Sequence, residues 1–310
     1  MTDATVAKPA GKPAATMKPP RNQWWDVWDQ FRSHKGAMVG CLVFGLILCL
    51  VILGPWLWHA DPLQINMRAR AKPMSWEHPL GTDQLGRDML ARVIAGGKTT
   101  LAVGLTAMCL SITLGTLVGV TSGFFKRADA LLMRVTDLFL ALPLLPLLLL
   151  GVMLFREPLV IAFGPELGMF ILIVTAIGIT SWMNTARIVR GEVLSIKERE
   201  FVLAARSIGT PPRRIILRHI LPSILSPIMV AATLGIATAV ITESSLSFLG
   251  LGFPPDFPTW GRLLQDGMAY INVNPERVLW PGLMLSCLVL AVNYIGDGLR
   301  DALDPRIRGR

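Results

Sequence analysis

A glycine-rich stretch that ends in lysine and threonine is the first part of the chain that could bind a ligand. Residues 92–100 read RVIAGGKTT, and Gly97, Lys98 and Thr99 fit the last places of the phosphate-binding pattern G-x-x-x-x-G-K-[ST]. Arg92 stands where that pattern needs its first glycine. The residues before the stretch place apolar side chains at helical spacing, whereas a phosphate loop follows a strand. We therefore expect a membrane helix that begins near Lys98, and no ATP or other cofactor bound by this chain.

The other reactive side chains do not form the patterns of an enzyme. The 4 Cys residues all lie in apolar runs without a CxxC spacing, and the 4 His residues lack metal-ligand spacings such as HExxH. No apolar segment carries the paired Asp, Ser/Lys or His/Glu set that catalysis inside a membrane requires. The sequence therefore predicts a non-catalytic chain without a metal site.

The composition is typical of a membrane protein. Of the 310 residues, 52% are hydrophobic and 16% are charged, whereas soluble domains carry about 25% charged residues. The formal net charge of +9 suits a membrane protein with cytoplasmic Lys and Arg residues. Since no zinc-finger, helix-turn-helix or RNA-binding signature accompanies that charge, we expect no nucleic-acid partner.

Uncharged apolar segments predict an all-α integral membrane protein with six transmembrane helices. Pro143 and Pro146 predict a kink or break in the third segment. Gly115, Gly119 and Gly123 repeat every four residues in the second and predict close helix packing. The predicted spans are 37–58, 99–125, 138–155, 167–186, 220–242 and 278–296.

The distribution of positive charge predicts how the helices are oriented. With both termini on one side, 21 of the 30 Lys and Arg residues lie on that side and 9 on the other. The positive-inside rule then places both termini in the cytoplasm. Residues 1–20 are rich in Pro, Ala and Lys and predict a disordered cytoplasmic tail. Residues 21–36 carry Trp24, Trp25 and Trp28 at roughly helical spacing and predict an interfacial amphipathic helix.

The segment before the fifth span predicts a helix, a break and a second helix. Residues 197–222 read KEREFVLAARSIGTPPRRIILRHILP, of which 198–208 are good helix formers. Gly209 can end that helix in the left-handed conformation, and the Pro-Pro pair that follows suits the first turn of another. Ala204 and Ala205 present almost no side chain, so a partner surface could approach closely.

The same segment resembles the coupling loop of ATP-binding-cassette (ABC) importer permeases. The family pattern is E-A-A, three residues, Gly, nine residues and I-x-L-P, and its places are occupied here by Leu203, Ala204, Ala205, Gly209, His219, Leu221 and Pro222. Leu203 replaces the glutamate and His219 replaces the isoleucine. In the peptide-transport branch the acidic residue usually lies three places earlier, where this chain has Glu200. The departures therefore indicate that branch.

Further stretches are similar to the same branch. HPLGTDQLGRDMLARVIAGGKTTL (78–101) resembles its segment before the second span, with Ala91 in place of a serine. Residues 243–264 resemble its outer loop, and residues 296–309 resemble its C-terminal tail. The chain is similar, over roughly residues 30–310, to the second (C-type) permease subunit of dipeptide/oligopeptide/nickel importers.

The resemblance implies a type I ABC importer permease fold, with residues 187–219 as a cytoplasmic helix–Gly–helix coupling loop. It also implies a homologous permease as heterodimer partner, two cytoplasmic ABC ATPases that hold ATP and Mg, and an extracytoplasmic substrate-binding protein, all in a bacterial inner membrane. The residues assigned to ATPase coupling are Glu200, Leu203, Ala204, Ala205, Arg206, Ser207, Gly209 and Pro222.

Polar residues near the outer ends of the spans have less defined roles. The carboxylate of Glu243, beside Ser244 and Ser245, could meet the cationic end of a passing peptide at an outer gate, or cap the adjacent loop. Asp83 and Asp88 are expected to cap and stabilise the helical segment before the second span.

An ion-driven secondary transporter is the alternative to an ABC permease. It would carry acidic or His relays within the membrane and an inverted repeat between the halves, and the sequence has neither. Peptides are the leading substrate class, while nickel chelates, glutathione, opines and some sugars travel through related systems. The resemblance implies that selection among these substrates rests largely with the binding protein.

Overall fold

The computed structural model describes residues 23–303, so the predicted tail at 1–20 lies outside the described residues. The regular structure of the described residues is helical, apart from one antiparallel bridge between Thr82 and Asp88, and the longest loop covers residues 58–88. The helices are α1 (Gln23–Ser33), α2 (Lys35–Leu57), α3 (Met89–Phe124), α4 (Lys126–Ala141), α5 (Leu144–Phe163), α6 (Pro165–Ile196), α7 (Glu200–Ser207), α8 (Pro212–Ile215), α9 (Leu221–Ser223), α10 (Leu225–Phe248), α11 (Trp260–Met268) and α12 (Glu276–Leu303).

Six of these helices are long and apolar enough to cross a membrane, namely α2, α3, α5, α6, α10 and α12. Their number agrees with the prediction, but their bounds differ because helices continue beyond the apolar layer. Helix α3 begins at Met89 and runs without a break through Gly97 and Lys98. The stretch that resembled a phosphate loop is therefore continuous helix, and Lys98 lies within it.

The third span differs most from its predicted bounds of 138–155. Leu142 has an extended backbone, and Pro143 occupies the position just before the following helix, so the residues before this break belong to α4. A residue before proline is disfavoured in helical conformation, which explains the break. Helix α5 continues to Phe163 past the exposed pair Arg156 and Glu157. Arg156 and Glu157, which suggested that the span ends at residue 155, therefore lie on the surface of a continuous helix.

The glycine stripe brings α3 against α6. A Cβ atom at Gly115 would lie 2.6 Å from Thr185 Cβ, and one at Gly119 would lie 2.7 Å from the Ala186 carbonyl oxygen. Both distances are too short for any side chain, so the glycines permit the two backbones to approach closely. The stripe therefore serves helix packing, at Gly123 as well, where a Cβ would lie 2.7 Å from Val193 Cβ.

The N-terminal helix lies against the last helix. Helix α1 occupies part of the predicted interfacial segment 21–36, and its Trp25 and Trp28 are exposed. His34 then caps α2 by accepting a hydrogen bond from the Ala37 N–H at Nδ1, and its Nε2 lies 3.7 Å from an Asp301 oxygen of α12. The two ends of the described chain therefore meet at the same end of the helix bundle.

Candidate functional site

The candidate coupling segment, residues 197–222, folds as short helices joined at Gly209. Gly209 has φ +76°, its N–H donates to the Arg206 carbonyl at 2.9 Å, and the Thr210 N–H donates to the Ala205 carbonyl at 3.1 Å. This pair of hydrogen bonds is the Schellman motif that ends a helix at a left-handed residue. The predicted left-handed glycine is confirmed, whereas the helix begins at Glu200 instead of residue 198.

One face of α7 is buried against the membrane helices. Val202 and Ala205 pack with Val189 and Val193 of α6 and with Ile215 of α8. Ala205 is only 7% exposed, and its small side chain lets α7 lie close to the bundle. This burial favours a packing role for Ala205, and its assignment to ATPase coupling stays a prediction.

The opposite face of α7 is open. The exposed residues of α7 and of the turn that follows it include six of the residues assigned to coupling, which are Glu200, Leu203, Ala204, Arg206, Ser207 and Gly209. Phe201 and Ile208 are also exposed, Ile208 to 82%. Apolar side chains framed by charged ones on an exposed face are typical of protein–protein contacts. The sequence reasoning missed these two residues, although large apolar side chains in a polar loop were the available signal.

Two contacts attach the coupling segment to the end of α3. The buried Lys197 donates from Nζ to the Gly123 carbonyl at 2.9 Å, which places a positive charge at the C-terminus of α3. The Arg206 guanidinium lies 5.2 Å from the centroid of the Phe124 ring, a cation–π contact. Neither Lys197 nor Phe124 was among the predicted site residues, because both act through tertiary contacts.

Helix α4 is attached to α6 just before the coupling segment. The Arg190 guanidinium donates to both carboxylate oxygens of Asp129, at 2.6 and 2.8 Å. These hydrogen bonds hold the pKa of Asp129 below its ordinary value, against the opposing effect of burial, and the charges of Arg190 and Lys197 add to the lowering. A bidentate pair of this kind fixes the relative position of the two helices.

Pro222 lies at a structural irregularity rather than in a regular helix. Residues Ile216–Ile220 form a π-helical turn, in which the Leu221 N–H reaches the Ile216 carbonyl. Proline has no N–H to continue a normal helical ladder, so a looser turn before it is expected. The helix breaks again at Ile224 before α10 begins. Pro222 is exposed, and the geometry assigns it to a joint between the coupling segment and α10.

At the other end of the bundle, Glu243 is fully buried in a cluster of hydroxyl groups. Ser247 Oγ donates to it at 2.7 Å, and Thr100 Oγ1 and Ser244 Oγ donate at 3.3 Å. Thr100 also accepts a hydrogen bond from the Trp260 N–H, so the cluster joins α3, α10 and α11. Of the two roles left open for Glu243, this geometry supports the structural one.

The hydroxyl of Ser245 is directed elsewhere. It donates to the Ile241 carbonyl within its own helix at 2.8 Å. The structure therefore brings Glu243 and Ser244 together and leaves Ser245 outside the cluster.

A second buried cluster caps the start of α3. Asp88 accepts hydrogen bonds from the Ala91 N–H at 2.8 Å and from Trp58 Nε1 at 3.0 Å, which confirms the predicted cap. Asp83 accepts from Arg87 Nε at 2.6 Å and from an Arg92 nitrogen at 2.8 Å. The arginine that interrupted the phosphate-loop pattern is thus part of a buried ion-pair network.

Comparison with known proteins identifies the family of the chain. Residues 111–309 match the family described as the binding-protein-dependent transport system inner membrane component, and residues 22–73 match the N-terminal TM domain of oligopeptide transport permease C. The chain belongs to the binding-protein-dependent permease family. The predicted resemblance is confirmed, and this family membership supports an ATP-driven importer permease over an ion-driven secondary transporter.

The most similar relatives include peptide permeases from several bacteria. The permease is 38% identical over 305 residues to the oligopeptide transport system permease protein OppC of Bacillus subtilis (strain 168), covering 98% of this chain and 96% of that protein. It is 36% identical over 309 residues to the dipeptide transport system permease protein DppC of Alkalihalophilus pseudofirmus, covering 97% and 98%. The match therefore extends over nearly the whole permease.

A solved structure agrees with the permease in fold. The MetNI methionine ABC transporter in inward facing conformations matches with a TM-score of 0.56 at 20% identity, over 70% of this chain and 98% of that chain. The similarity confirms the predicted all-α, type I ABC importer permease fold.

The departures from the general coupling pattern have a structural explanation in this permease. Glu200 lies one turn before Leu203, so both side chains project from the exposed face of α7. His219, in place of the usual isoleucine, lies with its ring centroid 6.2 Å from that of Phe201. The acidic group is therefore displaced by one helical turn, and the His219 ring lies beside the exposed Phe201 ring.

Proposed function

We propose that this permease forms half of the translocation pathway of an importer for di- or oligopeptides in a bacterial inner membrane. The observation that carries the proposal is the open face of α7, a helix that is attached to the end of α3 by Arg206 and to α6 by buried apolar contacts. Such a face suits a partner that drives the membrane helices. The names of the relatives, at 36% and 38% identity over nearly the whole chain, support peptides as the substrate class.

The proposed assembly contains a homologous permease, two ABC ATPases and an extracytoplasmic binding protein. ATP and Mg belong to the ATPases, and this chain has no catalytic role. Large apolar side chains remain exposed along α5, among them Leu150, Met153 and Leu154, which suits contact with membrane lipid or a partner helix. The Lys and Arg distribution supports both termini in the cytoplasm, on the same side as α7.

The contacts of the coupling segment suggest how movement is transmitted. Displacement of α7 acts on α6 through Val202 and Ala205, and on the end of α3 through Arg206, which lies over the Phe124 ring. The π-helical turn at Ile216–Ile220 and the break at Ile224 allow α10 to respond differently, because irregular turns absorb rotation. Closure of the ATPase pair would thereby change the relative positions of the spans.

The test is transport by the purified complex. The tagged permease is expressed with its neighbouring operon genes, purified, and reconstituted into vesicles with the binding protein, and ATP-dependent uptake of a labelled tripeptide is measured. A complex whose ATPases carry an inactivating substitution is the matched control. We expect co-purification of a second permease and ATPase chains, and uptake that needs both ATP and binding protein. Uptake by the chain alone, driven by an ion gradient, would contradict the proposal.

A further inference from the structure

A cavity opens between α3 and α6 near the ends of these helices that lie away from the coupling segment. Its volume is about 430 Å³, which falls in the range of about 300–1,000 Å³ that small-ligand sites occupy. The loop between α10 and α11 closes one side of it. The side chains that matter for its chemistry are Lys98 and Thr99 of α3, Glu166 and Phe170 of α6, and Phe253 and Phe257 of the loop.

The aromatic wall of this cavity is held in place by the core. Phe253 is 2% exposed and packs in the apolar cluster that contains Val103 and Met169, against which Phe257 also lies. A turn fixes the loop, since the Phe257 N–H donates to the Pro254 carbonyl at 3.0 Å. The wall therefore exists before any ligand arrives, which is the usual condition of a binding site.

Two opposite charges border the cavity without neutralising each other. Lys98 and Glu166 are both exposed, and among residues 23–303 neither forms an ion pair or a side-chain hydrogen bond. Nearby charges behave differently, because Asp83 and Arg92 are buried and paired. Lys98 and Glu166 are thus available to a ligand that carries both an anionic and a cationic group.

We propose that this cavity receives a short zwitterionic peptide as it enters the pathway. The peptide carboxylate pairs with the Lys98 ammonium, the peptide ammonium pairs with the Glu166 carboxylate, and an apolar side chain lies against Phe253 and Phe257. This inference rests on the proposed peptide transport. An exposed strip of α3 runs from Lys98 toward the coupling end and includes Leu105, Cys109 and Thr113, so the cavity leads onto an open helix face.

A phosphoethanolamine lipid headgroup carries the same two charges. The aromatic wall favours the peptide, because a headgroup has no apolar side chain beside its charged groups, whereas a peptide does. The two ligands also differ in which chemical group can be blocked. A peptide with an acetylated N-terminus loses only its ammonium, and a peptide amide loses only its carboxylate.

The experiment compares Lys98→Met and Glu166→Gln in the complete reconstituted complex. Initial uptake rates of free, N-acetylated and C-amidated trialanine are measured at equal concentrations of peptide-loaded binding protein, relative to wild type. The control is Glu157→Gln, an exposed charge that does not border the cavity. We expect Lys98→Met to slow uptake of the two carboxylate-bearing peptides about threefold to fivefold, as for partly exposed ion pairs. Lys98→Met should leave uptake of the C-amidated peptide unchanged. Glu166→Gln should slow uptake of the free and C-amidated peptides and leave uptake of the N-acetylated peptide unchanged.

Three results would overturn the inference. If a variant slowed uptake of all three peptides equally, Lys98 and Glu166 would act in the structure of the permease or in docking of the binding protein, and not in recognition of the peptide termini. If neither variant changed the uptake rate of any peptide, the cavity would not be a peptide-binding site. A variant effect that is the same for all peptides, but disappears when phosphatidylglycerol vesicles replace phosphatidylethanolamine vesicles, would assign the cavity to a lipid. If the wild-type complex takes up no peptide at all, the proposed function itself fails, and that outcome is seen before any variant is compared.

Discussion

Lys197 Nζ lies 2.9 Å from the carbonyl oxygen of Gly123, so the residue that precedes the coupling helices caps the end of the longest span. The lysine is buried, and its charge faces carbonyl groups that have no helical partner. This contact joins the end of α6, just before α7 begins, to the end of α3. Its loss should affect coupling as well as stability.

Lys197→Met is expected to lower the free energy of unfolding by about 1–3 kcal/mol, because the Gly123 carbonyl loses its donor in a buried place. We also expect ATP hydrolysis to continue while peptide uptake falls. Thermal unfolding in detergent and the ratio of uptake to hydrolysis measure the two effects. Lys126→Met, at an exposed lysine nearby, is the control. If Lys197→Met showed the wild-type ratio of peptide uptake to ATP hydrolysis, the contact between Lys197 and Gly123 would not take part in coupling.

Two substitutions at Gly209 distinguish a mild cost in backbone strain from the loss of the turn that ends α7. Apart from its chain neighbours, nothing lies within 4 Å of a Cβ built at this position, so Gly209→Ala has space and costs only the strain of φ +76°, about 1 kcal/mol. Gly209→Pro also removes the N–H that donates to Arg206 and cannot adopt a positive φ. We expect Gly209→Ala to transport nearly normally, and Gly209→Pro to insert but hydrolyse ATP without uptake. Wild-type uptake by Gly209→Pro at equal membrane abundance would argue against the coupling role.

Ala204 and Ala205 form a matched pair with opposite orientations. Ala204→Glu places a charge on the exposed face, so we expect a normally folded permease that no longer co-purifies with ATPase chains. Ala205→Glu buries a carboxylate in an apolar cluster, which is costly without a partner, and should lower thermal stability and abundance. Size-exclusion chromatography and pull-down assays distinguish the two. If both variants folded equally well, the burial of Ala205 would not limit the substitution.

Substitution of Glu243 tests whether its role is structural. Glu243→Gln keeps the shape of the side chain and the contact with Ser247, so we expect modest destabilisation and equal effects on anionic, neutral and cationic peptides. Uptake of the three peptide classes by Glu243→Gln and Glu243→Asp measures this. A selective loss of cationic peptides in Glu243→Gln would restore the outer-gate role.

The pair between Asp129 and Arg190 predicts a pH dependence of stability. The pKa of Asp129 is lower in the folded state than the unfolded value of about 3.9. Its stabilising contribution is therefore present above that value and is lost as pH falls through the folded pKa. We expect Asp129→Asn to melt earlier than wild type at pH 6, and the difference to shrink below about pH 4. Asp137→Asn, in the more exposed pair with Arg187, should show little effect at either pH.

The coupling segment was predictable where its structure depends on local backbone chemistry. Gly209 ends a helix because only a residue that tolerates positive φ can close a Schellman motif, and the sequence shows this directly. The orientation of Ala205 was not predictable, since two adjacent alanines look alike until the packing of α7 against α6 is known. Lys197 was missed for the same reason, because its partner, Gly123, is distant in sequence.

The ends of the membrane helices could not be predicted accurately from the sequence either. Charge marked the edges of apolar runs, but α3 continues through Lys98 and α5 continues through Arg156 and Glu157. A helix ends where its backbone changes direction, as at Pro143, and not where its side chains become polar. The number of spans could therefore be read from hydropathy, whereas their lengths depended on how each helix is capped and packed.

Helix α3 has 36 residues and contains no proline. At 1.5 Å per residue such a helix is roughly 54 Å long, against about 30 Å for the hydrocarbon layer of a membrane. It is therefore a rod that projects beyond the lipid, anchored by Asp88 at one end and by Lys197 at the other. Because this helix is continuous from end to end, a displacement that the ATPases impose on its coupling end is passed along it to the cavity that Lys98 borders.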